Sequence, residues 1–157
     1  MTGQASSQAK PTEVWATVGE LEVRYLDWGG DGPPIMALHG LASSANWYDL
    51  VAPMLTKYGR VIAPDQRGHG KTTQMASGYD WQTLSADIIG LMDHLGLEKA
   101  AVLGHSWGGN VAGNVAARFP ERVEKLVMID GGFLGGRQRS GATWESFRER
   151  VRPRDVT

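Results

Sequence analysis

One stretch in the middle of the chain constrains the fold most, because an apolar run passes directly into a helix through a glycine-flanked serine. Ala100–Leu103 is a short apolar run, as in a buried strand, and residues 104–108 follow it as Gly-His-Ser-Trp-Gly. Trp107–Phe119 is rich in glycine and alanine, which is typical of a helix whose backbone lies close to a sheet. Glycines tolerate a turn that is too tight for side chains. The pattern predicts a strand, a sharp turn and a helix, with Ser106 at the turn.

This arrangement of strand, Gly-x-Ser-x-Gly turn and helix is the context that a nucleophile elbow requires. We expect Ser106 to lie on a strained backbone at the carboxyl edge of the sheet. The free N–H groups and the positive dipole end of the following helix would then point toward its hydroxyl. The alternative is a Gly/Ser turn without chemistry, because motifs this short also occur by chance.

The rest of the sequence alternates between strand-like and helix-like patterns, which favours an α/β fold with a mostly parallel sheet and helices on both faces. Pro53 lies inside one predicted helix and predicts a kink or a late helix start there. Residues 1–11 have the composition of a disordered tail. The predicted strands cover residues 14–18, 21–26, 35–38, 60–65, 100–103 and 123–129, and the predicted helices cover residues 46–58, 81–97 and 107–119.

Chemically useful residues follow four of the predicted strands. They are His39-Gly40-Leu41, the Asp65–Gly70 loop, Ser106 and Asp130. Ligands of such sheets bind at the carboxyl ends of the strands, so we expect these four segments to meet at one edge. Within the second loop, Asp65 and Arg67 are expected to hold the loop by local hydrogen bonds.

These motifs, in this order, resemble those of the α/β-hydrolases, in the branch of serine esterases, lactonases and haloperoxidase-like enzymes. The resemblance runs from about residue 14 to residue 132 and covers strands 1–6 of the usual eight. It implies that Ser106 is a nucleophile that attacks a small carboxylic ester or lactone and forms an acyl-enzyme. It also implies an oxyanion hole made by the backbone N–H groups of Leu41 and Trp107. Related dehalogenases and epoxide hydrolases carry Asp at the elbow, so the serine disfavours their reactions.

The remainder of a catalytic triad is harder to place. The family order is Ser, then Asp or Glu, then His, whereas all four histidines precede Ser106. None of the four is expected to be the general base: His39 would shape the oxyanion loop, His69 would hydrogen-bond its loop, His94 would lie near a helix end, and His105 would point away from the catalytic face.

Three further residues are candidates for the site. Asp130 stands where some family members carry the triad acid, and the alternative is an Asp that caps its glycine-flanked loop. Trp47 and Phe133 could line an apolar substrate pocket, although aromatic residues at such positions also occur in cores.

The resemblance divides the chain into a core at residues 12–132 and the beginning of a cap or lid at residues 133–157. It therefore implies that a complementary C-terminal polypeptide supplies the histidine and the acid, for example after cleavage near the arginine-rich segment Arg148–Arg154. If the chain has no such partner, this chain alone is expected to be inactive. The alternative functions are a catalytically inactive, hydrolase-like ligand-binding module and a fragment that docks with a partner.

Composition excludes several other classes of function. The net charge is −1, there is no cysteine, and no apolar run approaches the length of a membrane span. Nucleic acid and membranes are therefore not expected as partners, and a disulfide framework and thiol catalysis are excluded. The glycine patterns and histidine spacing indicate no cofactor and no metal site. Without a signal peptide, the expected location is cytoplasmic.

Overall fold

A computed structural model describes residues 10–131 as a six-stranded sheet with helices on both faces, which confirms the predicted α/β class. The strands are β1 (Thr12–Val18), β2 (Leu21–Gly29), β3 (Ile35–Leu38), β4 (Val61–Pro64), β5 (Ala100–His105) and β6 (Val123–Ile129). The helices are α1 (Ala52–Leu55), α2 (Trp81–His94) and α3 (Trp107–Arg118), with 3₁₀ turns at Ala45–Tyr48 and Pro120–Arg122.

The strand order is β1-β2-β4-β3-β5-β6. The first two predicted strands are present as an antiparallel hairpin, with Val18 opposite Leu21 and Gly19 in the left-handed region at φ +60°. β2 joins the sheet antiparallel to β4, and the remaining neighbours are parallel. The carboxyl ends of β3, β4, β5 and β6 therefore meet at one edge, where their loops can form a site.

Side-chain alternation along the central strands builds a core on each face of the sheet. Met36 and Leu38 on β3 belong to the larger core, beneath α2 and α3, whereas Ala37 between them belongs to the smaller core beneath the first 3₁₀ turn and α1. Val102 and Leu103 on β5 divide in the same way. Successive strand residues point to opposite faces, so the continuous apolar runs in the sequence reflect strands buried on both sides.

A continuous helix over residues 46–58 is not present, whereas the late helix start that Pro53 predicted is confirmed. The chain instead forms the 3₁₀ turn at Ala45–Tyr48 and the short helix α1, which carries Pro53 near its start. Proline has no N–H to donate and clashes with the preceding turn, so a continuous helix through residue 53 is disfavoured. Trp47, Leu50 and Met54, expected on a buried face, are 54%, 73% and 67% exposed.

Helices α2 and α3 lie close to their predicted positions. Asp80 caps α2 by accepting hydrogen bonds from the N–H groups of Gln82 and Thr83, at 3.1 and 3.0 Å. At the other end, α2 stops at His94, three residues before the predicted Leu97. Gly96, at φ +67°, follows this end of the helix and turns the chain away from it. Pairing of β6 with β5 places the loop after β6 beside the start of α3.

Candidate active site

Ser106 occupies a strained turn between β5 and α3. Its backbone lies at φ +52° and ψ −117°, a conformation that side-chain-bearing residues rarely adopt. The Ser106 N–H donates to the Ile129 carbonyl on β6 at 2.8 Å. Its carbonyl accepts from the N–H groups of Gly109 and Asn110, at 2.9 and 3.2 Å. The surrounding hydrogen bonds therefore hold a conformation that the residue alone would not choose.

The glycines around Ser106 are required by close backbone approach. A Cβ at Gly104 would collide with the carbonyl of Gly108. A Cβ at Gly108 would collide with the Leu38 and His39 carbonyls, because α3 begins directly against the end of β3. The predicted turn and its glycine requirement are thus present in the structure.

The segment after β3 packs against this turn. A Cβ at Gly40 would lie 3.1 Å from His105 Nδ1 and 3.5 Å from Ser106 Cβ. The Leu41 N–H comes next in the chain, and the Trp107 N–H is the first of α3. No hydrogen bond from either N–H to another residue in the described range is present. Backbone N–H groups without a partner can donate to an oxygen that gains negative charge.

Three successive carbonyls of this segment are held by side chains. Tyr48 Oη donates to the Leu38 carbonyl at 2.9 Å, Gln66 Nε2 donates to the His39 carbonyl at 2.7 Å, and His39 Nδ1 donates to the Gly40 carbonyl at 2.8 Å. The three side chains are buried. Because each peptide plane is anchored, the direction of the next N–H group is also determined.

Histidine 39 is engaged at both ring nitrogens. Its Nε2 accepts a hydrogen bond from the Gln66 backbone N–H at 3.1 Å. Burial lowers the pKa of His39 to about 4, so the ring is neutral at pH 7. With both nitrogens in use, His39 has no lone pair available to take a proton from Ser106, as the sequence indicated.

The other histidines are also unsuited to a general base. The His69 ring is packed between the rings of His39 and Trp107, at 5.1 and 5.0 Å, and its Nδ1 is bonded to the Arg67 carbonyl at 2.9 Å. Burial lowers the pKa of His69. His94 is exposed at the end of α2, which leads toward the amino end of β5, away from Ser106.

His105 lies closer to the site than its expected outward orientation suggested. Its ring stacks on the Trp47 indole at 4.8 Å and lies against Gly40. Its Nδ1 is buried and has no hydrogen-bond partner within residues 10–131. His105 therefore packs between the loop after β3 and the indole of Trp47.

Asp65 organises the loops at this edge of the sheet. Its fully buried carboxylate accepts the N–H groups of Ala45 and Lys71, at 2.7 and 2.9 Å. It also pairs with the Arg24 guanidinium at 3.2 Å, and Arg24 reaches Glu13 at 2.8 Å and Asn46 Oδ1 at 3.1 Å. The expected local bonds of Asp65 are confirmed and extend further, to β2 and the first 3₁₀ turn.

Arg67 has a longer reach than expected. Its guanidinium donates to the Ser77 carbonyl at 3.4 Å, which is the expected bond within the loop, and it also forms a two-point ion pair with Asp87 on α2, at 2.7 and 2.8 Å. Burial raises the pKa of Asp87, and the Arg67 pairing opposes that effect. The loop after β4 is thereby fastened to the helix that covers the larger core.

Asp130, Trp47 and Phe133 are the remaining residues that the sequence predicted at the site. Asp130 is exposed at φ +52°, directly after the Ile129 carbonyl that receives the Ser106 N–H. Its carboxylate forms no hydrogen bond or ion pair within the described range, so the capping bonds of the alternative interpretation are not found there. Trp47 is exposed beside His105. Phe133 and the expected cap segment lie outside the described residues.

Sequence reasoning missed Gln66, Tyr48 and Arg24, which hold the loops around Ser106. Gln66 lies within the Asp65–Gly70 loop, and the sequence predicted no role for it there. Its position directly after β4, next to the end of β3 in the sheet, was the available signal. Arg24 offered none, because a charged residue in an alternating strand ordinarily faces solvent.

Residues 33–157 match the alpha/beta hydrolase fold family. The chain belongs to this family. It is 41% identical over 121 residues to the soluble epoxide hydrolase of Corynebacterium sp. (strain C12), covering 76% of this chain and 41% of that protein. It is 37% identical over 112 residues to the bifunctional esterase/perhydrolase DCH of Acinetobacter calcoaceticus, covering 69% and 41%.

Solved structures agree with the family assignment. Epoxide Hydrolase A from Mycobacterium thermoresistibile superposes with a TM-score of 0.70 at 36% identity, over 75% of this chain and 38% of that one. The chain thus spans about two fifths of the length of these relatives.

No group of three or more His, Cys, Asp or Glu side chains between residues 10 and 131 could hold a metal ion. No helix in that same range is long and apolar enough to cross a membrane.

Proposed function

We propose that the protein is a serine hydrolase that cleaves a small carboxylic ester or lactone through an acyl-enzyme. The observation that carries the proposal is the left-handed backbone of Ser106, at φ +52°, between a strand end and a helix start. Such strain at a functional residue is retained only where the surroundings impose it. The N–H groups of Leu41 and Trp107 support the proposal, because they have no hydrogen-bond partner within residues 10–131 and acyl transfer needs such donors.

In the proposed reaction, the Ser106 hydroxyl attacks the ester carbonyl and its proton passes to a general base. The carbonyl oxygen becomes an oxyanion that accepts hydrogen bonds from the Leu41 and Trp107 N–H groups. Collapse of this intermediate expels the alcohol, which takes the proton from the base and leaves Ser106 acylated. Water then attacks the acyl-enzyme through the same steps and releases the acid.

Family membership alone leaves the bond type open, since both an epoxide hydrolase and an esterase are among the relatives. The elbow residue favours the ester. Ser106 offers a hydroxyl, which suits attack on a carbonyl. The related enzymes that open epoxides carry a carboxylate at the elbow instead. Trp47, exposed beside His105, is proposed to contact the substrate.

The general base is proposed to come from a complementary C-terminal polypeptide, whether continuous with this chain or separate. Support comes from β6, where Val127 and Ile129 are 48% and 51% exposed and no strand within residues 10–131 pairs with the outer edge. An exposed apolar edge strand is a template for further strand pairing. Asp130, at the end of that strand, is proposed as the acid, with the C-terminal polypeptide as the alternative source.

A ligand-binding module without catalysis is the second candidate. It is favoured by the engagement of His39 and His69 in hydrogen bonds, which makes both of them unsuited to act as the base. The two candidates differ in covalent chemistry. A fluorophosphonate should label Ser106 in the native protein, and Ser106→Ala should abolish the labelling; ligand binding with no labelling would favour the module.

A further inference from the structure

The peptide bond between Asp130 and Gly131 joins an exposed carboxylate to a glycine directly after β6. The side chain of Asp130 is exposed and forms no hydrogen bond or ion pair within residues 10–131. The Gly131 N–H has no acceptor within the described part of the chain either. Neither the carboxylate nor the amide nitrogen that follows it is therefore held by another group of the described residues.

Glycine at position 131 is imposed by its packing against the elbow. A Cβ there would lie 2.5 Å from the Ser106 carbonyl oxygen and 3.0 Å from Gly109 Cα. A larger residue does not fit beside the turn, so Asp130 is followed by a glycine. Because glycine has no Cβ, no side chain on residue 131 shields its amide nitrogen from the preceding carboxyl group. The contact that builds the elbow thus also creates a reactive Asp-Gly pair.

The backbone of Asp130 lies in the left-handed region, at φ +52°. An L-residue is disfavoured there, because its Cβ crowds the following carbonyl oxygen. The allowed regions of a D-residue are the mirror image of those of an L-residue, so a positive φ is its unstrained state. The fold therefore favours a D-residue at position 130 over the L-residue that translation supplies.

We propose that Asp130 is a site of spontaneous succinimide formation and that its left-handed backbone retains the D-aspartyl product. The Gly131 nitrogen attacks the side-chain carboxyl carbon of Asp130. A C–N bond forms, the C–OH bond breaks, and the hydroxyl group and the amide proton leave as water. The α-hydrogen of the imide is acidic, so base in the solvent removes it and water returns a proton to either face. Water then opens one of the two imide C–N bonds and gives aspartyl or isoaspartyl residues of either hand.

The modification needs no catalysis by Ser106, so it does not rest on the proposed function. Its products differ in how they fit the elbow. An isoaspartyl residue adds a methylene group to the main chain between Ile129, whose carbonyl accepts the Ser106 N–H at 2.8 Å, and the packed Gly131. A D-aspartyl residue keeps the length of the main chain. The packing of Gly131 therefore favours the D-aspartyl product as well.

Ageing of the folded 157-residue chain at neutral pH tests the proposal. Trypsin then cleaves after Lys125 and Arg137 and releases the peptide Leu126–Arg137, in which Asp130 is the only Asp or Asn. Liquid chromatography against synthetic standards separates the aspartyl and isoaspartyl isomers of this peptide. The free synthetic peptide, aged in parallel, gives the product distribution without the fold. We expect the D-aspartyl fraction of the products to be at least about threefold higher in the folded chain than in the free peptide.

Asp31, which precedes Gly32, is the matched control within the chain. It is exposed, but its backbone does not lie in the left-handed region, so its D-aspartyl fraction should equal that of its own free peptide. Asp130→Glu should remain unmodified, because the longer side chain closes a larger ring much more slowly. The proposal is overturned if Asp130 stays L-aspartyl while the free peptide reacts, or if its D-aspartyl fraction matches that of the peptide. An equal rise at Asp31 would overturn the role of the positive φ.

Discussion

Removal of the Arg24 guanidinium tests how the loops around Ser106 are held. Arg24 is 5% exposed and pairs with Asp65, whose carboxylate is fully buried and binds the N–H groups of Ala45 and Lys71. Arg24→Met keeps most of the apolar stem but leaves the buried carboxylate without a cation. Breaking a buried pair on one side costs about 3–5 kcal/mol of unfolding free energy, so we expect a loss in that range.

Urea unfolding of the 157-residue chain, followed by circular dichroism, measures this loss. Glu13→Gln is the matched control, because it removes the other carboxylate partner of Arg24. The side chain of Glu13 is 39% exposed, so this variant should lose much less unfolding free energy. The Arg24→Met/Asp65→Asn double variant should lose less than the sum of its single variants, because the unpaired charge is removed as well. A loss below about 1 kcal/mol for Arg24→Met, or one equal to that of Glu13→Gln, would refute the reasoning.

Three further predictions follow from the site. Gly108→Ala should abolish Ser106 labelling, because the added Cβ meets the Leu38 and His39 carbonyls; labelling at the wild-type rate would contradict this close approach. Folding lowers the pKa of His39 from 6.5 to about 4, because the buried ring disfavours the charged form. The stabilisation from the neutral ring is therefore fully present above pH 6.5. It is lost as the pH falls through 4, which lowers the free energy of unfolding by about 3 kcal/mol. Urea unfolding from pH 7 to pH 4 should show this extra slope in wild type and not in His39→Asn, and parallel curves would disprove it. Asp130→Asn should slow Ser106 labelling at least about tenfold if Asp130 is the acid, and an unchanged rate would assign that role elsewhere.

Much of the fold was predictable because the central strands and helices carry strong local patterns. The apolar runs that became β3, β4 and β5 are flanked by glycine or proline, and the α2 face repeats at helical spacing. Residues 46–58 form a helix only from Ala52 onward, as the late start predicted from Pro53 allows. Their apolar spacing imitates a buried helix, but Pro53 interrupts it, and Leu50 and Met54 are exposed in the described part of the chain.

The central residues of the candidate site were predictable from the sequence, whereas the residues that hold them in place were not. Ser106, Leu41 and Trp107 are located by a motif that a sharp turn requires, so their backbone placement could be read from glycine spacing. The supporting contacts depend on distant pairs, such as Arg24 with Asp65 and Gln66 with His39, which are 41 and 27 residues apart. Local pattern carries no information on which loops meet, so these partners required the folded chain.

Covalent labelling of the native protein tests the central claim most directly. The protein in an extract of its source is treated with a fluorophosphonate and digested with trypsin, which cleaves after Lys99 and Arg118. The account predicts the phosphonyl group on Ser106 in the peptide Ala100–Arg118, and a much slower reaction in the isolated 157-residue chain, which has no described base. An unmodified Ala100–Arg118 peptide, or a label on another residue, would contradict a nucleophilic Ser106.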